Sequence, residues 1–167
     1  TDCSGQTTAL GYDALGHLQS MTDALGHTTR YEHDARGRLL SITQPDGSSE
    51  HFGYDAAGRL IAHTDAGGNI TRWQLAPDGL PVQRTDALGH ALRYRYDRHR
   101  RLVVLLNENA QPYRFAHDPL DRLVRELSFD GKLSSYDYDA AGQLQAVQEW
   151  GVVDPAQQPQ PDESPSP

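Results

Sequence analysis

The chain has 167 residues, about the size of one ordinary domain, with a formal charge of −8, a pI near 5.3 and a mean hydropathy of −0.70. That acidic balance argues against a general nucleic-acid binder, which carries a basic face, and no apolar run is long enough to span a bilayer. Cys3 is the sole cysteine, which excludes an internal disulfide.

From Thr1 the sequence is polar and already inside a repeating pattern, with no visible signal peptide, so we read it as a piece of a longer chain. The pattern is fixed by an aspartate slot at Asp13, Asp34, Asp55, Ala76, Asp97, Asp118 and Asp139, each 21 residues after the last. Three residues on stand Gly16, Gly37, Gly58, Gly79, Arg100, Asp121 and Gly142; two further on come Leu18, Leu39, Leu60, Pro81, Leu102, Leu123 and Leu144. Repetition in unbroken register marks a repeat protein. A second Asp-x-x-Gly falls midway through several units, at Asp23–Gly26, Asp65–Gly68 and Asp86–Gly89, with degenerate forms at Gln44–Gly47, Asn107–Ala110 and Ser128–Gly131. A turn every ten or eleven residues excludes long helices and predicts strands of about six or seven residues.

Asp at the first turn position caps backbone N–H groups, and Gly at the fourth takes the left-handed conformation that closes a type I turn with a bulge. The structural turn residues are thus Asp13, Gly16, Asp34, Gly37, Asp55, Gly58, Asp139 and Gly142. In that geometry Tyr54 faces Leu60 and Tyr96 faces Leu102. Asp34, Asp55, Asp97 and Asp118 lie beside Arg38, Arg59, Arg101 and Arg122, exposed pairs that pin register more than they stabilise.

The strand before each main turn alternates. Tyr31, Phe52, Trp73, Tyr94, Phe115 and Tyr136 stand three residues before the aspartate slot, and Tyr12, His33, Tyr54, Leu75, Tyr96, His117 and Tyr138 one residue before it. Polar neighbours such as Arg30, Glu32, Arg72 and Gln74 fill the gaps, so one face is aromatic and the other wet. In the fourth unit Pro77 and Pro81 predict a turn at an edge or bend. In the fifth, Leu102 to Leu106 is apolar throughout and predicts cover on both sides. After residue 150 the chain turns Pro-rich and acidic, which predicts a disordered tail over 151–167 following a repeat segment over 1–150.

The motif Tyr54-Asp55-Ala56-Ala57-Gly58-Arg59-Leu60, followed by Thr64-Asp65-Ala66-Gly67-Gly68, resembles the YD repeat of the Rhs family, and the resemblance runs over about residues 8 to 150. It implies an all-β antiparallel sheet of hairpins, curled as a segment of a spiral shell. In bacterial members such a shell holds a C-terminal toxin, often delivered by type VI secretion. Related shells occur in insecticidal toxin complexes and in teneurins. The implied role is a structural wall segment in interbacterial competition, secreted or at the cell surface. Its partners are the remaining repeats and a C-terminal toxin of the parent chain. Seven units are too few to enclose a toxin domain. Asp154-Pro155 lacks the Gly and Leu of the family's self-cleavage motif, so no cleavage is assigned.

The periodic aromatics Tyr31, Phe52, Trp73, Tyr94, Phe115 and Tyr136 also suit a carbohydrate- or cell-surface-binding module, with glycans as ligands, although a half-buried sheet face accounts for them. A non-functional Rhs fragment is a third reading. No catalytic motif, cofactor site or metal-ligand spacing stands out among the eight histidines, and the chain reads as no enzyme. About fourteen strands at roughly 4.8 Å spacing give a sheet about 67 Å wide, whose open edges favour self-association.

Overall fold

A computed structural model describes residues 7–152. The described residues form fourteen β-strands joined by tight turns, with no helix among them. The chain divides into two compact units, one up to Gly89 and one from His90.

The first unit holds β1 (Ala9–Tyr12), β2 (Leu18–Thr22), β3 (Thr28–His33), β4 (Leu39–Thr43), β5 (Ser49–Tyr54), β6 (Leu60–Thr64), β7 (Ile70–Leu75) and β8 (Pro81–Thr85). The second holds β9 (Ala91–Tyr96), β10 (Leu102–Leu106), β11 (Pro112–His117), β12 (Leu123–Leu127), β13 (Lys132–Tyr138) and β14 (Leu144–Val152). Within each unit every strand pairs antiparallel with the strand before it, without a crossover. The predicted antiparallel repeat of hairpins is therefore the observed architecture. β14 continues past residue 150 to Val152, and the remainder of the Pro-rich tail lies outside the described residues.

β3, β5, β7, β9 and β11 have the six residues expected, whereas β2, β4, β6, β8, β10 and β12 have five, because the main turn is longer than its Asp-x-x-Gly core. The Asp34 N–H donates to the Arg38 carbonyl at 2.9 Å, and the Asp55 N–H to the Arg59 carbonyl at 2.9 Å. The residue after the glycine is thereby drawn into the turn. The register then shifts by one residue at the strand start, so that Tyr54 faces Leu60 and Tyr96 faces Leu102. This bulge is what a left-handed residue at the fourth turn position produces.

The prolines of the fourth unit leave the hydrogen bonds of the turn intact. The Ala76 N–H donates to the Leu80 carbonyl at 2.8 Å, and the Gly79 N–H to the Ala76 carbonyl at 2.9 Å. Pro81 is the first residue of β8, opposite Leu75, a position where a strand tolerates a missing donor.

Neither unit closes a hydrophobic core. Leu127 is the one buried hydrophobic side chain among the described residues, at 7% exposure, and the buried polar ones are Ser41 and Ser134. All five residues of β10 are only partly buried, so the cover expected on both of its faces is absent. Alternate residues of β3, β7, β9 and β11 switch between half-buried and exposed, the pattern of strands whose side chains pack mainly on same-face neighbours.

Candidate functional site

The chain's most elaborate side-chain arrangement lies at the main turns. Where the turn begins with Asp and its fifth residue is basic, the carboxylate does two jobs. Oδ1 of Asp13, Asp34, Asp55 and Asp139 accepts the N–H four residues on, from His17 at 2.8 Å, Arg38 at 3.0 Å, Arg59 at 2.9 Å and Gln143 at 2.8 Å. Oδ2 holds the side chain of that residue where it is basic: Arg38 Nε at 2.6 Å, Arg59 Nε at 2.7 Å, Arg101 Nε at 2.7 Å and Arg122 Nε at 2.7 Å. Bonds from the Arg38 backbone and then its guanidinium lower the pKa of Asp34 to about 2. The glycines complete the turns with φ of 85° at Gly16, 77° at Gly37, 86° at Gly58 and 82° at Gly142.

Held in this way, each arginine reaches the next repeat. In the first unit Arg38 Nη1 donates to the Asp55 carbonyl at 3.4 Å, and its guanidinium lies 4.8 Å from the Tyr54 ring centre. Tyr54 returns the contact, its hydroxyl donating to the Leu39 carbonyl at 2.9 Å. Arg59 Nη1 donates to the Ala76 carbonyl at 3.0 Å. In the second unit Arg101 Nη1 donates to the Asp118 carbonyl at 2.9 Å and to Asp121 at 3.0 Å. Arg122 lies 4.7 Å from the Tyr138 ring, whose hydroxyl donates to the Leu123 carbonyl at 2.7 Å. The motif Tyr-Asp-x-x-Gly-Arg-Leu is thus a two-sided clasp. Arg and Leu offer the contacts that Tyr and Asp of the following copy receive. Gly58 serves the turn through its φ of 86°; a Cβ there would lie at an ordinary 3.4 Å from the arriving Arg38 Nη1.

The first repeat uses a variant. His17 takes the arginine slot and bonds Asp13 through Nδ1 at 3.0 Å, and it stacks on His33 in the tyrosine slot with ring centres 5.3 Å apart. Sequence reading placed these two histidines in their slots but not in contact with each other.

The periodic aromatics fall on one face within each unit. Tyr31 lies opposite Ile42, Phe52 opposite His63 and Trp73 opposite Arg84. Tyr94 lies opposite Leu105, Phe115 opposite Glu126 and Tyr136 opposite Val147. All six rings are half-buried. Phe52 stacks on His63 at 5.0 Å, and His63 bonds Glu50 at 2.8 Å. Phe115 stacks on Tyr113 at 4.8 Å, Phe129 meets Tyr113 edge-on, and the Tyr136 hydroxyl donates to Glu126 at 2.7 Å. Burial, and then the Glu126 carboxylate, push the Tyr113 phenol up to about 12. No group of three or more His, Cys, Asp or Glu among the described residues is placed to hold a metal ion. No described helix is long and apolar enough to cross a membrane.

The sequence profile described as RHS Repeat matches residues 1–28, 12–49, 33–70 and 54–75. No curated protein matches the chain by sequence. The fold matches the Tc holotoxin pore of Photorhabdus luminescens with a TM-score of 0.71 at 20% identity, over 86% of this chain. It matches TcdB2–TccC3 with Cdc42 with a TM-score of 0.72 at 21% identity over 92% of this chain, and TcdB2–TccC3 without its hypervariable C-terminal region at 0.72 and 21% over 87%. The chain spans only 9% of the length of each of these chains. Residues 1–75 of this chain therefore match RHS repeats, and the same clasp continues beyond them at Arg101 and Tyr138.

Proposed function

We propose that the chain is a wall segment of an Rhs-type shell that encloses a C-terminal toxin or effector of the parent chain, secreted or displayed for interbacterial competition. The observation that carries this reading is the clasp. Within each unit neighbouring repeats complete one another through these side chains, while almost nothing is buried among the described residues. Such a unit is made to be extended rather than to fold around a core of its own. Within each unit the sheet presents both faces, as a wall between a cargo and its surroundings does. The fold match to Tc toxin chains, of which this segment covers a small part, supports the same reading.

The test uses the parent chain with its flanking repeats and whatever follows them. Limited proteolysis should spare the segment after the repeats while that segment, expressed alone, is digested. A double change at the clasp, Arg38→Ala with Tyr54→Ala, should restore digestion. Equal digestion of the segment inside and outside the parent chain would overturn the proposal.

A further inference from the structure

The second unit carries a feature that the clasp does not use. On β9 to β12, the face opposite the aromatics presents Arg93, Arg95, Arg114 and Arg125, all exposed. The register places them together. Arg95 and Arg114 both lie opposite Val104 of the intervening strand, Arg93 lies opposite Leu106, and Arg125 lies opposite Ala116, two residues from Arg114. Directly opposed residues share a face. Arg95 and Arg114 are therefore about 9.6 Å apart at two strand spacings, and Arg93 and Arg95 about 7 Å apart along one strand.

No carboxylate stands on this face between β9 and β12. Asp97, Glu108, Asp118 and Asp121 lie in turns, and Glu126 is on the aromatic face. Arg101 and Arg122 are held by Asp97 and Asp118, whereas Arg95, Arg114 and Arg125 make no ion pair within the described residues. Val104 lies between Arg95 and Arg114, with Leu106 and exposed Ala116 beside them. A chain with formal charge −8 thus concentrates positive charge beside apolar side chains on one small patch.

We propose that this patch docks an extended acidic polypeptide segment, with carboxylates at alternate positions and apolar residues between its charged contacts. Alternate side chains of an extended peptide project to one side about 7 Å apart, a spacing from which two flexible carboxylate side chains reach Arg95 and Arg114. Guanidinium groups bind carboxylates through paired N–H donors. The patch spans four strands, about 15 Å, which is the reach of a short peptide with a few carboxylates. Under the proposed wall function the segment belongs to the enclosed cargo. The docking itself does not require enclosure, so it is tested separately.

The experiment uses the 167-residue chain and a fluorescein-labelled octapeptide alternating Glu and Val, read by fluorescence anisotropy. The peptide should bind saturably and weaken at least about five-fold as salt rises from 50 to 500 mM, since exposed pairs are screened. The Arg95→Gln/Arg114→Gln variant, with an unchanged circular dichroism spectrum, should bind about ten-fold more weakly. The Arg95→Glu/Arg114→Glu variant should instead bind a Lys–Val octapeptide, which a merely unfolded variant does not do. Equal binding of a Gln–Val octapeptide would point to backbone pairing at a sheet edge and overturn the proposal. So would undiminished binding by Arg95→Gln/Arg114→Gln, or binding of a sulfated oligosaccharide in place of the acidic peptide.

Discussion

Three residues other than glycine occupy the left-handed slot of a turn: Arg100 at φ 66°, Ala110 at 59° and Asp121 at 64°. At each the turn hydrogen bonds survive, with the Ala110 N–H donating to the Asn107 carbonyl at 2.9 Å. The register and the neighbouring hairpins hold the backbone there against its local preference, at about 1–2 kcal/mol for a residue with a Cβ. Ala110 is exposed, so Ala110→Gly should raise the urea midpoint, by about 1 kcal/mol in stability. A lower midpoint would mean that the turn is not strained. Asp34 gives the second residue-scale prediction. Its folded-state pKa, about 2, lies below the ordinary value of about 3.9. The stability it contributes is therefore fully present above pH 3.9 and lost as pH falls through 2. Urea midpoints measured from pH 5 downward should fall more steeply for the wild-type chain than for Asp34→Asn. Parallel pH profiles would remove Asp34 from the acid response.

At the scale of the element, hairpins are joined by a clasp that varies in strength along the chain. Arg38 with Tyr54 and Arg122 with Tyr138 combine a cation over a ring with a hydroxyl-to-carbonyl bond. His17 with His33 supplies stacking without that hydroxyl. Replacing the pair by His17→Arg/His33→Tyr should add the missing contacts. A cation over an exposed ring contributes about 0.5–1 kcal/mol, and a hydrogen bond about 1 kcal/mol, so the double variant should gain about 1–2 kcal/mol. A double-mutant cycle in urea checks this, because the gain should exceed the sum of the single changes. Additive single effects would show that no clasp forms there. The hairpins themselves were legible in the sequence, because turn chemistry and period-two alternation are local and repeat in step. The Asp–Arg pair within each turn was legible too, being four residues long. What could not be read was the second reach of the arginine, from Arg38 to the Asp55 carbonyl, since it depends on how one hairpin stacks beside the next. For the same reason β10, apolar throughout, was misread as covered: composition reports what a strand could bury, not whether a second layer exists.

At the scale of the whole molecule, stability rests on neighbour-to-neighbour contacts, because hardly any side chain is enclosed. In such an array each strand is stabilised by those on either side, and a terminal strand has one partner where the others have two. β14 is the longest strand and pairs only with β13 among the described residues. Leu144, Val147, Trp150 and Val152 along it are exposed, and its one charge, Glu149, is tied to Lys132 at 2.8 Å. Natural edge strands avoid pairing with other chains by being short, bulged or charged; β14 bulges only near its ends, at Gln145 and Gly151, and between them it is regular and nearly neutral. By contrast β1 has four residues, which leaves a much shorter ladder to template. Self-association should therefore run through β14. Sedimentation velocity of the 167-residue chain should show mass rising with concentration, and Val147→Lys, which places a charge in mid-strand, should hold it monomeric with its strand content unchanged. The same substitution inside the parent chain should weaken the join to any repeat that follows. A wild-type chain that stays monomeric at every concentration, or a variant that associates as readily, would show that this edge is already protected.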